Sequence, residues 1–563
     1  MALGSSGRGC RRRPKLLRAV AIYGGGPGFF LRWPAAVESF TTNDPAFRAC
    51  AKMELRCLMR ATHAIAVRAP RGRRWPPWRQ PQQGASEAVV RAFPEKLQHL
   101  ALRILPTASS PCWYMHAHVD CMSGVGIAPL EDDERARGVV ETCLVTPSEG
   151  TPREQLWLSP LDLLLVNRGH TPTVYLYRSG GGGGGFFDAA RLRKSLARAL
   201  VDFYPLAGRL DVEDDGRRFV INCNAEGALL AVARSELTVD DLSGVRPSPE
   251  LKRLFVPRVE PPFVMLAVQV TFLKCGGVAF GTALHHAAGD AVSAFHFFQT
   301  WSALCREGYD DDGDAVKVLQ LPCHDRTLLR ARSPPVVCPD VFSVFCPQLR
   351  LIQPSGPVAS EVFTVSKDHL AALKGACAGV STFCAVAAHV WRCVCVARGL
   401  PPGATTRLTL PANVRRSIRP PLPDRYFGNA IIWLGTAAAV GKVTSEALAA
   451  TAGRIRGAVR RMDDEVVRSA IDYFELGETT KGGGPAPGGG LPENELRVIS
   501  WLGMPVHEAD YGWGKPHLML RAESERSGFV YLMNDGGGGV RVVVCAEATC
   551  LEEFQRLLYA KPF

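Results

Sequence analysis

His286 opens the pentapeptide His286-Ala287-Ala288-Gly289-Asp290 and offers the chemistry of a general base. Near pH 7 an imidazole is largely neutral and can accept a proton. The motif follows Val278-Ala279-Phe280-Gly281-Thr282-Ala283-Leu284, an apolar run that reads as a buried strand. A histidine at a strand end can be held rigidly while its ring faces a cleft. Spacing alone is weak evidence, because a histidine four places before an aspartate arises about once by chance in a chain this size. His116-Ala117-His118-Val119-Asp120 has the same spacing without a comparable strand. The neighbouring His285 is a rival base, but a strand continuing through it turns the two rings to opposite sides. What singles out the first copy is a downstream partner, Asp510-Tyr511-Gly512-Trp513-Gly514-Lys515-Pro516.

The elements that must position these residues alternate along the chain. Strand patterns fall at Thr173–Tyr177, Arg218–Asn222, Met265–Phe272 and Val278–Leu284, and helical patterns at Ala189–Val201 and Ala291–Leu304. A polar, proline-containing passage near Ser333–Pro357 reads as a crossover between halves. Helices then fit Lys367–Ala376, Thr382–Arg398 and Ser445–Met462, with strands near Arg407–Leu410 and Ala430–Leu434. The last strands are Gly528–Leu532 and Val540–Cys545, before a helix near Leu551–Tyr559. The glycine runs Gly180–Gly185 and Lys481–Gly490 read as surface loops; neither has the lysine-serine ending of a phosphate loop.

At 563 residues the chain is too long for one core. Its 47% hydrophobic and 21% charged residues suit an ordinary globular protein. The net charge of +12 suggests nucleic acid until its distribution is read. Residues 1–137 hold 21 Lys and Arg against 10 Asp and Glu, which leaves 45 against 44 for residues 138–563. The basic character therefore belongs to the N-terminal part, and no nucleic-acid partner is expected. That part has poor periodicity and carries Arg11-Arg12-Arg13 and Trp75-Pro76-Pro77-Trp78. It reads as a largely disordered or non-native extension, with a plastid transit peptide or an RNA-binding arm as alternatives. No apolar run is long enough to span a membrane. The 18 cysteines are scattered, which suits buried free thiols in a reducing compartment better than a zinc site or disulfide scaffold.

The two motifs resemble the HxxxD and DFGWG marks of the plant BAHD acyl-CoA-dependent acyltransferases. Further landmarks stand in family order: Thr151-Pro152, Leu156-Trp157-Leu158-Ser159-Pro160-Leu161-Asp162, His170-Thr171-Pro172-Thr173-Val174-Tyr175-Leu176-Tyr177, Phe203-Tyr204-Pro205-Leu206-Ala207-Gly208-Arg209-Leu210, Ser381-Thr382-Phe383 and Tyr426-Phe427-Gly428-Asn429. Tyr511 departs from the usual phenylalanine and adds a hydroxyl that needs a partner. The resemblance implies an α/β fold of two chloramphenicol-acetyltransferase-like domains with an active-site tunnel at their interface. The expected division is an extension at 1–137, a first domain at 138–332, a linker at 333–360 and a second domain at 361–563.

It also implies roles. His286 is the catalytic base, and no serine or cysteine nucleophile is needed because the acceptor attacks the thioester. Asp290 is structural and pairs with Arg415, with Arg416 as fallback; Ala291 stands where the family usually has glycine. Asp510, Gly512 and Gly514 shape a tight loop, and Trp513 packs there, with oxyanion donation as its lesser alternative. Ser381 and Thr382 suit the CoA arm or a plain helix cap. Thr171, Thr173 and Tyr175 are pocket candidates. Acyl-CoA is a co-substrate, and no bound cofactor or metal is expected.

Members acting on shikimate or quinate carry an arginine in Ser-Trp-x-Arg-Leu-Pro, where this chain has Ser500-Trp501-Leu502-Gly503-Met504-Pro505. Gly503 removes that anchor for an anionic acceptor. The run resembles grass enzymes making hydroxycinnamoyl amides of putrescine, agmatine or tryptamine. The expectation is N-acylation of an amine by a hydroxycinnamoyl-CoA, in a cytoplasmic monomer, with Glu508 as a candidate partner for a cationic amine. Ester formation on shikimate, quinate or another alcohol is one alternative, and a non-catalytic CoA-ester-binding relative is another.

Overall fold

The computed structural model describes residues 138–179, 186–213, 218–260, 263–307, 321–339, 352, 356–377, 379–480, 491–524 and 526–560. The readings of residues 1–137 and of the glycine runs at 180–185 and 481–490 lie outside the described residues. In chain order the strands are β1 (Val139–Val145), β2 (Gln155–Trp157), β3 (His170–Tyr177), β4 (Arg209–Val212), β5 (Phe219–Asn222), β6 (Ala228–Ser235), β7 (Leu266–Leu273) and β8 (Val278–His285). The second half adds β9 (Val358–Val365), β10 (Thr405–Asn413), β11 (Ile431–Ala439), β12 (Glu495–Ser500), β13 (Leu518–Arg521), β14 (Phe529–Asn534) and β15 (Val540–Glu547).

Two six-stranded sheets form the frame, ordered β1-β6-β7-β8-β3-β13 and β11-β10-β12-β14-β15-β9, with a three-stranded sheet β2-β5-β4 beside them in the chain. β8 is buried along its whole length and is paired on both edges, with β7 and β3. That explains a continuous apolar run in place of alternation. Gly281 in its middle lets another chain segment cross closely: a Cβ there would meet the Phe255 carbonyl oxygen at 1.6 Å. β13 crosses the division expected at 333–360. It comes from the second half yet pairs antiparallel with β3, setting Met519 opposite Tyr175 and Arg521 opposite Thr173.

Two large cores each draw on both halves of the chain. The core around Leu196, Phe280, Phe297 and Trp301 also takes in Trp501, Met519, Phe529 and Tyr531 from the second half. The other is built round the helix Thr382–Ala397, most of which is buried. Ser381 caps that helix, its hydroxyl accepting from the Cys384 N–H at 3.2 Å. The helix read over Ser445–Met462 is Leu448–Arg460, and a short helix, Val440–Ser445, precedes it. Arg392 donates to the Val443 and Glu446 carbonyls at the break. No periodicity marks it, because those carbonyls are satisfied by a side chain distant in sequence. The described cysteines are free, most of them buried. Among the described residues no helix is long and apolar enough to cross a membrane.

Candidate active site

A cavity of about 600 Å³ is lined from both halves of the chain. Thr171, Thr173, Tyr175 and His286 come from the first half, and Asn413, Trp433, Trp501 and Arg521 from the second. The Thr171, Thr173 and Tyr175 side of the wall is β3, which is hydrogen-bonded to β8 with His170 opposite His285. Thr173 and Thr282 share a hydroxyl–hydroxyl hydrogen bond of 2.6 Å across that pair.

His286 follows the last residue of β8 and is only partly exposed, through the cavity that it lines. Its backbone is tied on both sides: the N–H donates to the Gly169 carbonyl at 2.9 Å, and its carbonyl accepts from Asn429 Nδ2 at 2.8 Å. Nδ1 is sealed from solvent and has no hydrogen-bond partner among the described residues, which leaves Nε2 as the nitrogen available to the cavity. Burial pushes the imidazole down to about 4, and the nearby Arg168 charge adds to that push. The ring is therefore neutral at pH 7. His285 turns away: it is buried, outside the cavity lining, and packs edge-on against His170 with ring centroids 4.9 Å apart.

Two buried ion pairs hold the turn after His286. Asp290 receives both arms of Arg415, at 2.8 and 3.0 Å, and also the N–H groups of Ser293 and Ala430. Burial pushes the Asp290 carboxyl up, but the Arg415 guanidinium outweighs it and holds the group below its ordinary range. The second pair joins Arg326 to Asp162 at 2.8 Å, with both side chains fully buried. Arg326 also donates to the Ala287 and Ala288 carbonyls, at 3.1 and 2.7 Å. Asp162 accepts from Ser159 in a capping box and from both Asn429 nitrogens. The turn is thus clamped at its aspartate, at two of its carbonyls and, through Asn429, at His286 itself. Such a clamp can hold a base within the narrow tolerance proton transfer requires.

The Asp510–Gly514 loop is built otherwise. Asp510 Oδ1 accepts from the Gly512 and Gly514 N–H groups, at 2.8 and 2.9 Å. Gly512 has φ +97°, and a Cβ there would meet Arg191 Nη2 at 2.9 Å. Trp513 stacks on Phe187 at 5.0 Å, beneath the Arg191 guanidinium. None of these residues lines the cavity, and neither do Ser381 and Thr382. Gly503 is exposed, with φ +74° and open space around it, beside the lining residue Met504. Glu508 lies outside the cavity lining and is paired with Lys515 at 2.5 Å. Arg416 takes no part in the Asp290 pair. No cluster among the described residues is suited to hold a metal ion.

A profile of the Transferase family matches residues 138–560. Putrescine hydroxycinnamoyltransferase 1 of Oryza sativa subsp. japonica is 44% identical over 446 residues, covering 75% of this chain and 98% of that protein. The chain belongs to the BAHD acyltransferase family. Another similar member, a hydroxycinnamoyl-CoA:5-hydroxyanthranilate N-hydroxycinnamoyltransferase of Avena sativa, is 38% identical over 456 residues, covering 75% and 98%. Vinorine synthase shares the fold, with a TM-score of 0.59 at 24% identity over 74% of this chain and 96% of that one. Within this BAHD chain, sequence reasoning quoted Asp162 and Asn429 as landmarks without giving them a task. The Ser159-x-x-Asp162 spacing announces a capping box, but nothing local announces Arg326, whose partners lie far away in the sequence.

Proposed function

We propose that this chain transfers a hydroxycinnamoyl group from its CoA thioester to an amine, with His286 as the general base. One observation carries the proposal: a neutral imidazole, fixed by its backbone on both sides, presents Nε2 to a cavity lined from both halves. The acceptor nitrogen attacks the thioester carbon, the C–N bond forms, and the C–S bond then breaks. His286 takes a proton from that nitrogen and passes it to the departing thiolate, so amide and free CoA leave and the ring returns neutral.

The depressed basicity of His286 supports an amine over an alcohol. An amine attacks as its free base and becomes acidic only once the C–N bond forms, so a weak base suffices. An alcohol must be relieved of its proton while it attacks. The similar rice and oat proteins, one named for putrescine and one for an N-acylated hydroxyanthranilate, point the same way. Asp290 and Arg415 act as positioning residues in this scheme, and the Asp510–Gly514 loop is architectural. The test is incubation of the full chain with p-coumaroyl-CoA and a panel of amines and alcohols, with products read by mass. Amides are expected; esters formed in preference to every amide would overturn the N-acyl assignment, and no product at all would overturn the transferase reading.

A further inference from the structure

Four arginines line the cavity: Arg258 is paired with Glu260 at 2.5 Å, whereas Arg168, Arg521 and Arg526 have no carboxylate partner among the described residues. The acidic groups in the lining are already committed. Asp290 belongs to Arg415, and Glu523 is paired with Lys252 at 2.5 Å. One wall of the cavity therefore carries uncompensated positive charge, a costly arrangement in a partly desolvated site unless an anion completes it. Burial pushes the Arg168 guanidinium down to about 10; Tyr531 opposes the shift, and Arg497, Arg526 and Arg521 add to it.

Arg521 is the best prepared of the three. Its guanidinium carbon lies 4.2 Å from the centre of the Tyr531 ring, and among the described residues its Nε has no partner and its side chain makes one hydrogen bond, of 3.3 Å, to the Glu523 carbonyl. A guanidinium held over an aromatic ring with unused donors can grip a carboxylate with two parallel hydrogen bonds. Its place in the fold matters equally. Arg521 ends β13, opposite Thr173 of β3, and Arg168 lies in the turn whose Gly169 carbonyl holds the His286 N–H.

We infer that the acceptor carries a carboxylate, gripped by Arg521 in a cationic wall shared with Arg168 and Arg526. The inference rests on the proposed transfer and narrows its acceptor. The phosphates of CoA are the other anionic source, but a pantetheine arm separates them from the thioester. The KM for p-coumaroyl-CoA therefore separates that source from an acceptor carboxylate. The same wall repels an alkylammonium, so the nitrogen that attacks is one that is neutral near pH 7, as in an arylamine.

The full chain is assayed with p-coumaroyl-CoA and the matched pair 3-aminobenzoate and aniline, with putrescine as the cationic contrast. The wild type is expected to favour 3-aminobenzoate over aniline in kcat/KM by about 10- to 100-fold. Arg521→Leu should bring that ratio close to one, and Arg521→Lys, which keeps the charge but loses the fork, should fall between. Equal use of the matched pair, or preference for putrescine, would overturn the inference while leaving amide formation standing. A raised KM for p-coumaroyl-CoA in Arg521→Leu at an unchanged acceptor ratio would assign the wall to phosphate and also overturn it. If no acceptor is acylated, the transfer itself fails. Calorimetry then decides the wall separately: binding of 3-aminobenzoate but not aniline, lost in Arg521→Leu, supports it, and equal or absent binding rejects it.

Discussion

The His286–Asp290 turn and the Asp510–Gly514 loop were equally visible as motifs, yet they do different work. Each uses an aspartate to gather backbone N–H groups. In the first, that aspartate is buried and answered by Arg415, and the neighbouring carbonyls are held by a second buried pair. In the second, the aspartate is partly exposed and is satisfied by its own loop, while Trp513 packs on Phe187 outside the cavity lining. Long-range buried charge marks the segment where position is critical; local self-satisfaction marks a segment that shapes the fold. The same contrast separates Arg326, invisible in sequence but central to the clamp, from Trp513, conspicuous in sequence but peripheral.

The comparison can be broken most sharply at Arg326. Arg326→Ala strands the Asp162 carboxylate in the interior and should cost about 3–5 kcal/mol of stability, read by denaturant titration. A loss under about 1 kcal/mol would show that the clamp is not rigid. Next comes acid. Burial holds His170, His286 and His324 near 4 and His285 near 3, whereas an unfolded histidine titrates near 6.5. Between those values the unfolded chain binds more protons, so stability should fall as pH drops from about 6.5 toward 4, by a few kcal/mol. Thermal melts across that window test it, and a flat profile would contradict buried neutral rings.

Smaller effects are expected in the second motif. Asp510→Ala removes two charge-assisted hydrogen bonds from a partly exposed loop and should cost about 1–2 kcal/mol. Turnover per folded molecule should drop far less than for a change at His286. Tyr511 gives the smallest effect and the opposite sign. Its hydroxyl is buried among the aromatic rings of Tyr177, Phe280 and Trp301, with no hydrogen-bond partner among the described residues. Tyr511→Phe should therefore raise stability by about 1 kcal/mol, seen as a higher Tm; a lower Tm would mean the hydroxyl is satisfied.

Much of the architecture could be read from residues alone. The β8 run, the helix after His286 and the capped helix at Thr382 stand out because each has a local signature: continuous burial, helical periodicity or a serine cap. β13 was missed because four residues carry too little pattern, and its pairing with β3 is set by the other half of the chain. The helix Asp464–Thr480 was missed as well, although its buried Val467, Ala470 and Ile471 follow helical spacing. At the site, His286 and Asp290 were legible through their spacing. The cationic wall was not, because Arg168, Arg521 and Arg526 come together only when β13 joins the first sheet. Gly503 suggested the loss of an anionic anchor and lies outside the cavity lining, whereas Arg521 lines it.

The central claim is that one imbedded imidazole carries the proton traffic. It is tested most directly by turnover of His286→Ala beside the wild type, with p-coumaroyl-CoA, the best acceptor found and a matched thermal melt. The account predicts a fall in kcat of about 100-fold or more with the melt preserved. Turnover that survives intact in a folded His286→Ala protein would contradict it.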